Sequence, residues 1–281
     1  MLLGQSQLTL SVDNDLYFAS DFYYSSGIFL DYGKEKKKDS VAKQRRFEQW
    51  ELGQLIYTPR KRYATAVEDL DYPFSGLLFV RYSQDQIVSD KWGFSYGAEL
   101  GISGDASLAK AVQNLYHDLV LQLPPLSWIA QMPQQFHLGF RAAYFRSIRL
   151  GNALALIPDM LGTLSSHQTL LASRVGVVLG STAKMPWDAN PLMNNQKGWG
   201  LYVGCQLQYV FFDFPMEGSL FNDQAEFTLL PNRWRNRLEF GVTFHNEKWK
   251  LQSTLLSGSK DTNTQRDPRH EYLNISISRF F

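Results

Sequence analysis

The chain ends on His270-Glu-Tyr-Leu-Asn-Ile-Ser-Ile-Ser-Arg-Phe-Phe281, where Leu273, Ile275 and Ile277 alternate with Asn274, Ser276 and Ser278. A period of two marks a strand with one apolar and one polar face. A soluble edge strand would fray at its end, whereas this one holds its pattern to a terminal aromatic. It reads as the closing strand of an outer-membrane barrel. Phe281 is similar to the signal read by bacterial barrel-assembly machinery, although Arg279 stands where that signal usually has an aromatic or aliphatic residue.

The alternation recurs along the chain. Trp92, Phe94, Tyr96, Ala98 and Leu100 share one face; Gly93, Ser95, Gly97, Glu99 and Gly101 share the other. Trp199, Leu201, Val203, Cys205 and Leu207 form a second such series. Twelve candidate strands follow, at about 6–14, 22–33, 46–57, 75–85, 91–102, 135–147, 148–158, 166–180, 198–213, 234–246, 248–257 and 270–281. The seventh is the least regular, because Pro158 interrupts a Leu-rich stretch. Several exceed the roughly nine residues that a tilted strand needs to cross a bilayer, while strands of globular domains average about 5–6. The expected fold class is all-β, a transmembrane antiparallel β-barrel of about 12 strands forming one domain over residues 1–281. A soluble β-sandwich is the competing reading.

Composition narrows the function. Aromatic residues make up 14%, charged residues 20%, and the net charge is +1, so nothing draws the chain toward nucleic acid. No apolar run approaches the ~20 residues of a spanning helix. Met1-Leu-Leu-Gly-Gln5 is too short for a secretory signal and reads as the start of a mature chain. Cys205 is the single cysteine and reads as a small hydrophobe, with no internal disulfide.

An even strand number puts both termini in the periplasm, so loops after odd-numbered strands face outward. Asp13-Asn14-Asp15 and Arg60-Lys61-Arg62 fall in such loops. Pro186-Trp-Asp-Ala-Asn-Pro191 and Gly258-Ser-Lys-Asp-Thr-Asn263 are assigned to outer loops as well. The loop after the fifth strand predicts a helix over about 106–120, N-capped by Asp105 and ending near Leu121, before Pro124-Pro125. Leu108, Val112, Leu115 and Leu119 make its apolar stripe, and Gln113 and His117 share a neighbouring face. The stripe can pack on the barrel wall, lie in the outer leaflet, or do both.

Several pieces then line up in order: Leu8-Thr-Leu-Ser-Val-Asp-Asn-Asp15, Tyr24-Ser-Ser-Gly-Ile-Phe-Leu-Asp-Tyr32, Gln54-Leu-Ile-Tyr-Thr-Pro59, Asp71-Tyr-Pro-Phe-Ser-Gly-Leu-Leu78, Gly104-Asp-Ala106, Gln113-Asn-Leu-Tyr-His117 and Trp128. Their order and spacing resemble the outer-membrane lipid A 3-O-deacylase family, through the first half of the chain and weakly in the closing strand. The resemblance implies a twelve-stranded barrel with an outer-rim helix and a site between helix and wall, and the long alternating strands lead to the expectation of a monomer. It implies calcium-dependent hydrolysis of an ester-linked acyl chain of lipid A, with lipopolysaccharide and other outer-membrane lipids as partners. The family's catalytic and calcium-binding Asn-Asp pair falls on Asn14 and Asp15, its hydroxyl on Ser25 and its general base on His117. Arg60, Lys61, Arg62 and Gln113 would contact substrate. The family glutamate falls on Leu123, which removes an acid that orients the base or supports the metal.

Simpler readings stand beside these. Asp13-Asn14-Asp15 is also an ordinary turn-bonding cluster, His117 a surface helix histidine, and Arg60–Arg62 a solvated loop. Ser25 lies opposite Ile28 and Leu30, whereas Asn14 shares parity with Leu8, Leu10 and Val12, so the two converge only through a bulge. Ser25 has no local His–acid partner that would make it a nucleophile. His137, His167, His245 and His270 have no metal-ligand spacing and read as structural. The alternatives to an enzyme are a catalytically impaired relative and a passive outer-membrane barrel that binds lipopolysaccharide. Inward Arg, Glu and His predict a plugged or narrow lumen.

Overall fold

The alternating segments form strands β1 (Ser6–Asn14), β2 (Tyr23–Glu35), β3 (Arg45–Thr58), β4 (Ser75–Ser89), β5 (Trp92–Ser103) and β6 (Phe136–Arg146) in the first half. The second half supplies β7 (Ile148–Arg149), β8 (Leu154–Ser165), β9 (Gln168–Gly180), β10 (Gly198–Asp213), β11 (Trp234–His245), β12 (Trp249–Ser259) and β13 (Arg269–Phe280). This computed structural model describes residues 5–18, 20–36, 44–89, 91–181, 185–194 and 196–281. All but the last residue of the Met1–Gln5 opening lies outside them.

Sequence neighbours pair antiparallel, and β1 meets β13 from Gln7↔Phe280 to Asn14↔Leu273. The ladder from Gly139↔Ser165 to Phe145↔Asp159 joins β6 to β8 and closes the ring. Twelve strands make the barrel, and β7 is an extra two-residue ladder on β8. Closure leaves no exposed sheet edge, so the ladder can satisfy the backbone without water.

The expected seventh strand needs correction: Ile148–Arg149 turns back, and the barrel strand is Leu154–Ser165. Pro158 sits inside that strand, paired with Val175 of β9 on one side. On the other side the ladder to β6 stops at Asp159, so the missing N–H of Pro158 costs no ladder bond there.

Leu10, Leu52, Tyr96, Leu100, Val203 and Phe240 face outward and are exposed, as is Cys205 among them. Charges face inward and pair. Arg81 bridges Glu51 at 2.9 Å and Glu99 at 2.6 Å, Arg174 holds Asp159 at 2.8 Å, and Arg237 holds Glu239 at 2.7 Å.

The Pro186–Pro191 segment is not an outer loop. It connects β9 to β10, at the end of the barrel that holds both termini, and turns back into the lumen. Asp188 pairs with Arg174, Asn190 Nδ2 donates to Asp85 at 3.2 Å, and Trp187 stacks on Tyr202 at 4.7 Å while donating to Thr254 at 2.7 Å. Leu192 and Met193 pack below with Phe47, Ile87, Phe145 and Phe280. Two polar groups and an aromatic, each with an inward partner, outweigh the turn-forming prolines as a guide to where the segment goes. The lumen is plugged, as its inward charges required. In planar bilayers the protein should show no stable open-channel conductance, and deletion of Pro186–Met193 should raise it; steady wild-type channels of porin size would contradict a filled lumen.

Candidate active site on the outer wall

Opposite the termini, the turn after β1, the loop after β3 and the long loop after β5 share one rim. The β5–β6 loop starts with a 3-10 turn at Gly104–Ser107, continues as α1 (Ala109–Tyr116) and ends in a π-helical turn, His117–Leu121. The helix therefore falls where the periodicity put it. Its expected N-cap does not: Leu108 enters at φ 60°, the Ala109 N–H goes to Ser107 Oγ at 3.3 Å, and Asp105 Oδ1 accepts from Gln131 instead. The entry is set by Gly104, whose φ is +70° and whose Cα faces the Gln134 backbone too closely for a Cβ.

α1 lies on the outside of the barrel with its polar side inward. Ala109, Gln113 and His117 are buried against the wall, whereas Leu108, Leu115, Leu119 and Val120 are exposed, Leu119 by 68%. Only Val112 of the predicted stripe reaches the cluster of Ile56, Leu70, Phe74, Leu126 and Trp128 beneath. Outward-facing Gln54 donates to the Ser107 carbonyl at 2.6 Å. Gly76 of β4 permits this approach, since a Cβ there would lie 2.2 Å from that of Ala109. Trp128, at φ 48°, stacks on Phe74 at 5.1 Å.

His117 is 1% exposed. Its Nε2 lies 2.9 Å from Oδ2 of Asp21, a residue of the β1–β2 turn that is 6% exposed. Arg62 Nη1 donates to the same oxygen at 2.6 Å and to the Asp21 carbonyl at 3.3 Å. Gln113 Nε2 reaches Asp21 Oδ1 at 3.5 Å, and Thr58 Oγ1 donates to the Asp21 carbonyl at 3.3 Å. A carboxylate oxygen that already accepts from Arg62 acts as acceptor for Nε2–H, so the imidazole lone pair sits on Nδ1. Among the described residues that Nδ1 is buried without a hydrogen-bond partner, as are Asp15 Oδ1, Gln113 Oε1 and Trp128 Nε1.

Asp15 joins the cluster through the neighbouring residue: its Oδ2 accepts the Phe22 N–H at 3.0 Å. Burial pushes its carboxyl up to about 8; the Phe22 N–H works the other way, and the Asp21 carboxylate adds to the rise. Asn14 Oδ1 accepts Leu16 N–H at 2.7 Å, so the turn-bonding reading holds for this side chain. The bulge demanded by the strand parity is present between Tyr24 and Ser26 in the β2–β3 ladder, with Ser25 the extra residue. Ser25 is buried and its Oγ donates to the Ile56 carbonyl at 3.3 Å, which makes it a structural partner of β3.

The cations of the second loop are committed in pairs. Arg62 holds Asp21, Arg60 holds Asp267 and lies over the Phe22 ring, and Lys61 Nζ bonds Asp69 at 2.7 Å with both partners exposed. Together with Tyr63 and Ala64 they line an open cleft beside Asp21. Leu123, 37% exposed, extends the apolar surface, and its N–H closes the helix on the His117 carbonyl at 3.0 Å.

The site thus gathers Asp15, Arg62, Gln113 and His117, with Asn14 at its margin. Asp21 was missed, because a lone acid in a turn carries no spacing signal. Among the described residues, no three His, Cys, Asp or Glu side chains gather as a metal site.

The sequence matches, over residues 3–281, the family described as Outer membrane protein LpxR. The chain belongs to this family. It folds like LpxR from Salmonella typhimurium, with a TM-score of 0.80 at 17% identity over 98% of this chain and 100% of that one. The β domain of the Bordetella autotransporter BrkA is a more distant barrel, with a TM-score of 0.50 at 11% identity over 99% of this chain and 98% of that one. No curated protein matches in sequence. These likenesses show an outer-membrane barrel fold, and family membership places the protein in the outer membrane.

The closeness of Gly76 to Ala109 gives a direct test of the helix position. Gly76→Ala should push α1 off the wall, speeding hydrogen exchange across 105–121 while the barrel strands keep their protection. Unchanged protection of 105–121 would contradict the contact.

Proposed function

We propose that the protein is a monomeric lipid A deacylase that hydrolyses an ester-linked acyl chain in the outer leaflet, with its site on the extracellular side. The carrying observation is His117 itself: a buried imidazole with Nε2 on a carboxylate and Nδ1 unpartnered, held between the barrel wall and a helix whose outer face is apolar. A surface histidine has no reason to be ordered in this way. Family membership supplies the class of substrate.

His117 Nδ1 takes a proton from water, and the oxygen attacks the ester carbonyl. The tetrahedral centre collapses, the C–O bond to the sugar breaks, and the imidazolium returns its proton to the departing alkoxide. Ester and water give a fatty acid and an alcohol. The apolar face of Leu108, Leu115, Leu119, Val120 and Leu123 continues the outward belt of the barrel and suits a substrate still embedded among acyl chains. Lys61 is the cation most readily exchanged onto a lipid A phosphate, because its pair with Asp69 is exposed and therefore weak.

Calcium suits the oxygen chemistry of Asn14 and Asp15, where among the described residues Asp15 Oδ1 is buried with no partner and burial, with the Asp21 carboxylate adding to it, holds the carboxyl above its ordinary range. When bound, the ion would supply charge to stabilise the developing oxyanion. Asn14 and Asp15 are the residues that would hold it.

Leu123 favours a second reading, a relative that binds lipopolysaccharide without cleaving it. Mass spectrometry of lipid A incubated with detergent-solubilised protein at millimolar calcium separates the two. Fatty acid release is expected, falling by about 10²-fold or more in His117→Ala, with the folded barrel retained on unheated gels. No release by the wild type would leave binding alone. Calcium should also raise the thermal midpoint of the wild type but not of Asp15→Asn; equal shifts would remove Asp15 from the metal site.

A further inference from the structure

We infer that Asp21 is the positioning residue of the site: it fixes the ring orientation and tautomer of His117 so that Nδ1 is the basic atom. The inference deepens the deacylase reading and rests on it for its catalytic meaning. Asp21 is itself buried and held by four hydrogen bonds from three side chains. Arg62 binds its carboxylate and its carbonyl, Thr58 binds the carbonyl, and Gln113, one helical turn before His117, reaches the other carboxylate oxygen. A carboxylate held in this way gives the imidazole one acceptor at one place, 2.9 Å from Nε2.

The consequence for charge is as definite. When Nδ1 gains a proton from water, the ring becomes a cation in a buried position, which Asp21 offsets through the Nε2–H bond while keeping its own charge. No proton passes to Asp21, and the ring loses the Nδ1 proton to the leaving alkoxide, so the site returns to its starting state. Arg62 holds the Asp21 carboxylate in its aim at His117, which explains why this cation of the basic loop points into the wall while Lys61 stays outside. The acid thus comes from the β1–β2 turn. The helix loop does not need to carry one, and Leu123 is free to extend the apolar face.

Three readings test the inference on full-length protein in detergent. Asp21→Asn offers His117 an amide that can donate as well as accept. With lipid A as substrate, kcat should fall on the order of 10²–10⁴-fold with KM within about threefold. Asp21→Glu should recover at least a tenth of the wild-type kcat. In ¹⁵N-histidine-labelled protein, with the His117 signals identified by their loss in His117→Ala, Nε2 should carry the proton in the wild type, and Asp21→Asn should shift the ring toward the other tautomer. An unchanged kcat in Asp21→Asn, or an unchanged His117 nitrogen pattern, would overturn the inference. If wild-type protein releases no acyl chain, the deacylase reading fails by itself, and the nitrogen pattern alone decides whether Asp21 sets the tautomer. A variant that fails to form the heat-modifiable barrel is replaced by Asp21→Glu, whose pattern should stay that of the wild type.

Discussion

Closure of the sheet is the constraint on which the rest depends. Once β1 pairs β13 and β6 pairs β8, every residue of a barrel strand has a fixed side, lumen or exterior, decided by parity. The exterior must be apolar and the interior must pair its own charges, as Arg81 and Arg174 do. A polar residue on the exterior is then an anomaly that needs a cover. Asn14 and Gln54 are such residues, and the rim helix is the cover over Gln54. The bulge at Ser25 resets parity at the rim, so that Tyr24 faces the lumen and bonds Asp13 while Ile28 and Leu30 below it face outward.

The rim helix inverts the usual rule of amphipathic packing. In water a helix hides its apolar stripe, whereas here Gln113 and His117 are hidden and Leu115 and Leu119 are displayed. Both arrangements follow one principle, that a group goes where its partners are. The wall offers the Asp21 carboxylate and the membrane offers hydrocarbon. Hydrophobic pattern alone therefore identified the helix without saying which face would meet the wall.

Much of the fold was legible because alternation over long strands is a local signal. All twelve barrel strands were readable, and the one misplaced in bounds, Leu154–Ser165, was misread because Pro158 was taken as a boundary. Proline is tolerated in a strand where a flank has no ladder left to receive an N–H, and beside Pro158 the ladder to β6 has already ended. The plug was missed for the opposite reason. Pro186–Pro191 has the residues of a turn, and its lumen partners Asp85, Arg174 and Tyr202 lie on distant strands that no local pattern links to it. His117 and Asp15 were reached through the order of matched segments. Asp21 was not, since its meaning comes from two contacts, with residues 62 and 117, made across three loops.

Among the described residues, four of the five non-glycine residues at positive φ, Leu108, Gln122, Trp128 and Ala130, belong to the rim loop, and α1 has only eight residues. So short a helix has almost no stability of its own, and four unfavourable backbone turns lower it further. It exists because the wall is there to receive it. During biogenesis the loop must therefore order last, after the strands that carry Gln54, Ile56 and Gly76 have zipped into place. Until then His117 has no carboxylate beside it, so the pair it makes with Asp21 is a product of the finished wall rather than of the loop.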